Sequence, residues 1–165
     1  MDDTAGVRRT LHAYCSLLDA RRIDDLVSTV YAPDAVDDRR RGEPRRGRAA
    51  IKDYFERALG TISATVHLLS NVDVEIDGDR ARATSRVLAL HWNTPTAPGA
   101  APSDFVLVAS YDDSLVRTAD GWQIARREVD ALGPAGLAFG ALPAIFAGFG
   151  GRTTPAEGAD AWARA

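Results

Sequence analysis

Cysteine is nearly absent: Cys15 stands alone, which excludes an intrachain disulfide and any zinc site built on thiolates. Lysine is as scarce, with Lys52 the only one among 20 basic residues, and the arginine bias that remains reads as a GC-rich coding preference from which no function is taken. A positive excess is missing too. The formal net charge is −3, so the chain lacks the cationic surplus from which nucleic-acid binders draw most of their affinity. No apolar run approaches the roughly 20 residues needed to cross a bilayer. The acidic start Met1-Asp2-Asp3-Thr4 is the opposite of a secretory signal's basic opening. Phosphate-binding glycine loops, Gly-x-Ser-x-Gly and His-Glu-x-x-His are all absent, and the three histidines, His12, His67 and His91, share no close metal-ligand spacing. These gaps predict a cytoplasmic protein, free of metal and cofactor, with no nucleic-acid or membrane partner.

What is present fits one domain: 165 residues, 45% apolar and 26% charged, enough for one core and too few for two. Over residues 4–22, Val7, Leu11, Tyr14 and Leu18 recur at helical spacing and predict a core-facing helix. A short helix follows over 23–30, stopped by Pro33, and a third over 48–59 carries Ile51, Phe55 and Leu59 and ends at Gly60. Residues 42–47 read as a loop. After Gly60 the period drops to two. Val66, Leu68, Val72, Val74 and Ile76 share one parity, expected to be the core face, and His67, Asn71, Asp73 and Glu75 share the other. Asp77-Gly78-Asp79 turns the chain into a partner strand over 80–92, and a proline-rich connection leads to a second strand pair over 104–117 and 121–129. Three helices followed by long antiparallel strands predict an α+β layer over residues 1–130. Residues 131–165 form a tail whose phenylalanines suit either a short helix at 137–149 closing the pocket or a subunit contact. The outer sheet face, with Leu90, Val106 and Val108, is expected to need cover, as in a homodimer or homotrimer.

Seven short signatures, in order, resemble the SnoaL-like branch of the nuclear-transport-factor-2-like superfamily. They are Tyr14-x4-Asp19, the run Tyr31-Ala32-Pro33-Asp34-Ala35-Val36, Gly47-Arg48-x2-Ile51 and Thr65-Val66-His67-x3-Asn71. Asp77-Gly78-Asp79-Arg80-Ala81, the run from Tyr111 to Arg117 and Asp120-Gly121-Trp122-Gln123-Ile124-x2-Arg127 complete the set. That resemblance implies a cone in which N-terminal helices pack inside a curved antiparallel sheet. It also brings in scytalone dehydratase, bile-acid 7α-dehydratase, ketosteroid isomerase relatives and cyclases. By likeness to the dehydratases, His67 is the expected base, Asp19 its partner, and Tyr14 and His91 the groups that polarise a substrate oxygen. Arg127 is the expected pocket arginine, chosen over Arg126 by its spacing from Trp122. Scytalone dehydratase uses two tyrosines on its substrate carbonyl; here only Tyr14 aligns, and Tyr54 and Tyr31 are candidates for the second.

Plainer readings stand beside these. A strand histidine is often structural, Asp19 could pair with Arg21 or Arg22, Tyr14 could be a core aromatic, and His91 a polar residue at a strand end. His12 lies off the apolar stripe and is expected to be solvated. Arg39, Arg40, Arg41, Arg45, Arg46 and Arg48 are interrupted by Asp37, Asp38 and Glu43, and are expected to form a solvated loop or subunit contact. The expected activity is dehydration of a small hydrophobic hydroxy-carbonyl, polyketide, terpenoid or steroid-like compound. The alternatives are an isomerase or cyclase in the same pocket, and a non-catalytic binding or oligomerisation module.

Overall fold

The computed structural model describes residues 2–40, 42–94, 97 and 104–132. The expected helix at 137–149 and the role given to the tail lie outside these residues.

Helix α1 (Asp3–Asp19) opens where the Asp2 side chain accepts the Thr4 backbone N–H at 3.0 Å, satisfying one of the free donors of the first turn. It buries Val7, Leu11, Tyr14 and Leu18 as the spacing predicts, together with Thr10 and Cys15. Burying each of the three aliphatic chains is worth about 1.5–3 kcal/mol. The helix lies close against the sheet. A Cβ at Gly6 would come within 2.8 Å of Trp122 Cδ1, and the Thr10 hydroxyl donates to the Trp122 carbonyl at 2.7 Å. Helix α2 (Ile23–Val30) passes directly into strand β1 (Tyr31–Asp38), an element the sequence reading missed, and β2 (Arg45–Arg46) lies inside the expected loop. Helix α3 (Gly47–Leu59) buries Ile51 and Phe55.

Strands β3 (Ile62–Asp77), β4 (Arg80–Asn93), β5 (Phe105–Thr118) and β6 (Gly121–Ala131) form antiparallel neighbours in one six-stranded sheet of order β2-β1-β6-β5-β4-β3. The sheet is not wholly antiparallel, because β1 runs parallel to β6. Two irregularities decide what faces inward. In β3 the register shifts between Ser70 and Asp73, where Asn71 takes a left-handed φ of 51° and Arg8 donates to the Val72 carbonyl at 2.8 Å. Before the shift Thr65, His67 and Leu69 face the core; after it Val72 and Val74 do. The expected core stripe is therefore corrected: Val66 and Leu68 are 41% and 54% exposed, because a bulge inverts parity within one strand, while Ile76, on the inner parity, is 36% exposed at the strand's end beside the turn. In β6 the register skips Ala125, so Trp122, Ile124 and Arg127 all point inward despite their mixed parity. Among the described residues no helix is long and apolar enough to cross a membrane.

Candidate active site

Asp19 is the last residue of α1, where a carboxylate meets the negative end of the helix dipole and is disfavoured unless other groups hold it. Here β3 supplies those groups. Asp19 Oδ1 accepts from the Thr65 hydroxyl at 2.8 Å and lies 2.6 Å from His67 Nδ1, while Oδ2 accepts the His67 backbone N–H at 2.9 Å. The arginines that could have claimed it are engaged elsewhere: Arg22 binds Asp25 at 2.7 Å and Arg21 the Ile62 carbonyl at 2.9 Å. An ionised carboxylate only accepts, so His67 carries its proton on Nδ1 and leaves the lone pair on Nε2. The His67 side chain is 6% exposed. Burial depresses its pKa below 6.5; Asp19 pulls it back, the Arg39 and Arg127 charges oppose Asp19, and the net direction is down. His67 is therefore a neutral, oriented imidazole at pH 7.

Tyr14 sits at the centre of an aromatic cage. Its ring meets those of Tyr111, Phe55, Tyr31 and His67 edge-on, at 5.8, 6.1, 6.3 and 6.4 Å between centroids. Its hydroxyl accepts from Arg39 Nη2 at 3.3 Å, which leaves the phenolic hydrogen free to donate. His91 lies on the same inner face, 5.8 Å from the His67 ring and stacked on Phe105 at 4.2 Å. Its Nδ1 is buried without a partner, and burial followed by the proximity of His67 lowers its pKa.

The structure thus brings Tyr14, Asp19, His67 and His91 together. Arg127 does face inward while Arg126 pairs on the outside with Asp38 and Glu128, but it is wholly buried and two of its nitrogens are committed. Nε and Nη2 donate to Asp113 at 2.7 Å each, and the guanidinium lies 4.0 and 4.2 Å from the ring centroids of Tyr14 and Tyr111. Only Nη1, buried and without a partner among the described residues, is left over. Tyr31 is also fully buried, and donates to Asp37 at 3.1 Å. Tyr54 packs on Phe55 at 5.3 Å.

The reading of the arginine cluster as a solvated loop or subunit contact is corrected for Arg39, Arg45 and Arg48, the last of which lies in α3 and donates to the Tyr31 and Ser28 carbonyls at 2.8 Å each. Asp37, wholly buried, accepts from Arg39 Nε at 2.8 Å, and the Arg39 guanidinium lies over the Tyr54 and Phe55 rings at 4.8 and 5.2 Å. Arg45 stands opposite Asp37 in the ladder, hence on the same face, and stacks on Tyr54 at 3.9 Å. Across the sheet, Arg45, Asp37, Arg127 and Asp113 occupy one row on successive strands, with alternating sign. Once β1 is recognised as a strand, the shared parity of Ala35, Asp37 and Arg39 is the signal that would have found this wall.

Residues 1–128 match the model of a family described as a SnoaL-like domain. An uncharacterised protein of Mycobacterium tuberculosis, Rv2910c, is 37% identical over 128 residues, 77% of this chain and 84% of the relative. Among solved structures, the Kfla4162 protein of Kribbella flavida superimposes with a TM-score of 0.74 and 27% identity, covering 79% of this chain and 91% of the other. A Novosphingobium aromaticivorans protein described as a candidate scytalone dehydratase superimposes with a TM-score of 0.70 and 23% identity, over 85% and 95% of the two chains, a likeness of fold.

Proposed function

The chain belongs to the SnoaL-like domain family, with the α+β cone of the nuclear-transport-factor-2-like fold, and on that premise we propose that it is a cofactor-independent dehydratase of small hydrophobic β-hydroxy carbonyl compounds. The observation that carries the proposal is the Asp19–His67 pair, at 2.6 Å, with the imidazole buried; the carboxylate, as an acceptor, assigns the proton to Nδ1 and leaves Nε2 as the base. His67 Nε2 removes the proton next to the substrate carbonyl. The developing enolate oxygen takes a hydrogen bond from the Tyr14 hydroxyl, whose own lone pair is engaged by Arg39. The imidazolium, stabilised by Asp19, returns that proton to the departing β-hydroxyl; water leaves and an enone remains, so atoms and charge balance. His91 stands as the second group able to contact the leaving oxygen, and Arg127, 4.0 Å from the Tyr14 ring centroid, as the charge beside the phenol. The apolar outer face, with Val66, Leu68, Leu88 and Trp92 exposed, supports self-association of the chain as a homo-oligomer.

The test is enone formation, followed by ultraviolet absorbance, from a panel of β-hydroxy ketones bearing one to three rings. His67→Ala should keep the wild-type circular dichroism spectrum and lose about 10²–10⁴-fold in rate. A variant that turns over as fast as wild type would eliminate the assignment. A ketone product isomerised without loss of water would identify the same pocket as an isomerase.

A further inference from the structure

Arg45 is a guanidinium without a counter-ion among the described residues. Its Nη1 is buried and finds no hydrogen-bond acceptor. Asp37, its neighbour across the ladder, already accepts from Arg39 through both oxygens, at 2.8 and 3.4 Å, and from the Tyr31 hydroxyl. Asp37 is thus taken up by Arg39 and Tyr31, and leaves Arg45 unpaired among the described residues, beside Tyr54. A buried donor left without an acceptor is costly, and more so where the group is charged, so its persistence calls for a partner. The fold supplies none from the next strand, because β2 is the edge of the sheet. The alternating row Arg45, Asp37, Arg127, Asp113 begins with a positive charge and lacks the negative one that would precede it.

We propose that Arg45 and Arg39, aligned by Tyr54, form a carboxylate-binding subsite, so that the substrate is an apolar acid whose anionic group docks at the sheet edge while its reacting carbon lies at His67. This inference rests on the dehydratase reading for the word substrate, though not for the subsite itself. A continuous aromatic wall joins the two places: the His67 ring meets Tyr14 at 6.4 Å, Tyr14 meets Phe55 at 6.1 Å, Phe55 meets Tyr54 at 5.3 Å, and Arg45 lies 3.9 Å from the Tyr54 centroid. A carboxylate at Arg45 would lie against the half-buried Tyr54 ring, at the outer end of this chain of ring contacts. The Arg45 fork matches the two carboxylate oxygens, Arg39, whose Nε and Nη2 are held by Asp37, adds charge beside it, and stacking on the phenol ring orders both before the ligand arrives. Arg39 links the subsite to the chemistry directly, since its Nη2 is the group that holds the Tyr14 hydroxyl.

The experiment is calorimetric titration with 2-naphthoate and its neutral isostere 2-naphthamide, on wild type, Arg45→Gln, Arg45→Lys and His67→Ala, each with an unchanged far-ultraviolet spectrum. Wild type should bind the acid at least about tenfold more tightly than the amide, as expected for a charge-assisted contact. His67→Ala should keep that preference, Arg45→Lys should keep part of it, and Arg45→Gln should bring the two ligands to within about twofold. Equal affinities in wild type, a preference that survives Arg45→Gln, or failure of naphthoate to bind at millimolar concentration would each overturn the subsite. Because this preference is read without turnover, its failure leaves the His67 assignment standing, and the loss of that assignment leaves the subsite standing.

Discussion

Removing the carboxylate beneath Arg127 should be among the most damaging single changes available to this domain. In Asp113→Ala the guanidinium loses two hydrogen bonds of 2.7 Å, and it has no route to water, since both side chains of the pair are 0% exposed. The rings of Tyr14 and Tyr111 at 4.0 and 4.2 Å hold it in place but cannot neutralise it. Breaking a buried pair from one side costs about 3–5 kcal/mol. Against a typical total stability of about 5–15 kcal/mol that is a large share, and it corresponds to a fall in Tm of roughly 6–20 °C. The double replacement Asp113→Leu with Arg127→Met removes both charges and keeps apolar volume, so it should return to about wild-type stability or exceed it by up to about 4 kcal/mol. Urea denaturation followed by circular dichroism, with the single and double variants compared as a cycle, measures both quantities. A loss below about 1 kcal/mol for Asp113→Ala would refute the picture of a sealed, mutually dependent pair. A double variant that is stable yet no longer turns substrate over would assign Arg127 Nη1 to the ligand.

Because burial holds His67 below 6.5 in the folded state, activity should rise with pH along an acid limb lying below that value and stay flat through neutrality. The matching stability is fully present above about pH 6.5 and is lost as pH falls toward the folded pKa, since the unfolded chain then takes up the proton first. Asp19→Asn removes the group that raises the His67 pKa and fixes its tautomer, so it should lower kcat by about 10²-fold or more and move the acid limb to lower pH; a limb that moves upward would contradict the assignment. At the β3 bulge, Asn71→Val should cost about 1–2 kcal/mol, because a branched side chain disfavours a φ of 51°, whereas Asn71→Gly should match or slightly exceed wild type in urea denaturation.

Much of the cone could be read in advance. Val7, Leu11, Tyr14 and Leu18 could form no other pattern than one buried helical stripe, and Asp77-Gly78-Asp79 marked a hairpin that the coordinates contain. The strand Tyr31–Asp38 escaped because Pro33 masks it; proline fits there exposed, in the break of register with β6 between Tyr31 and Val36. Missing that strand hid Asp37 and Arg39, and with them the charged wall beside Tyr14. The parity argument for His67 held for Val66 and Leu68 but failed for Val72 and Val74, which share its face across the bulge.

The sequence alone determined the three helices, the four long strands, the helical faces that pack and the identity of the family, because these depend on spacing within a segment or on motifs in fixed order. Tertiary structure decided which polar groups meet. The Asp19–His67 contact spans 48 residues, the Arg127–Asp113 pair is set by a skipped residue in β6, and Arg45 reaches the inner face only through its register with Asp37. Register between strands and the placement of a bulge are settled by the packed whole, and one residue of slip sends a side chain to the opposite face.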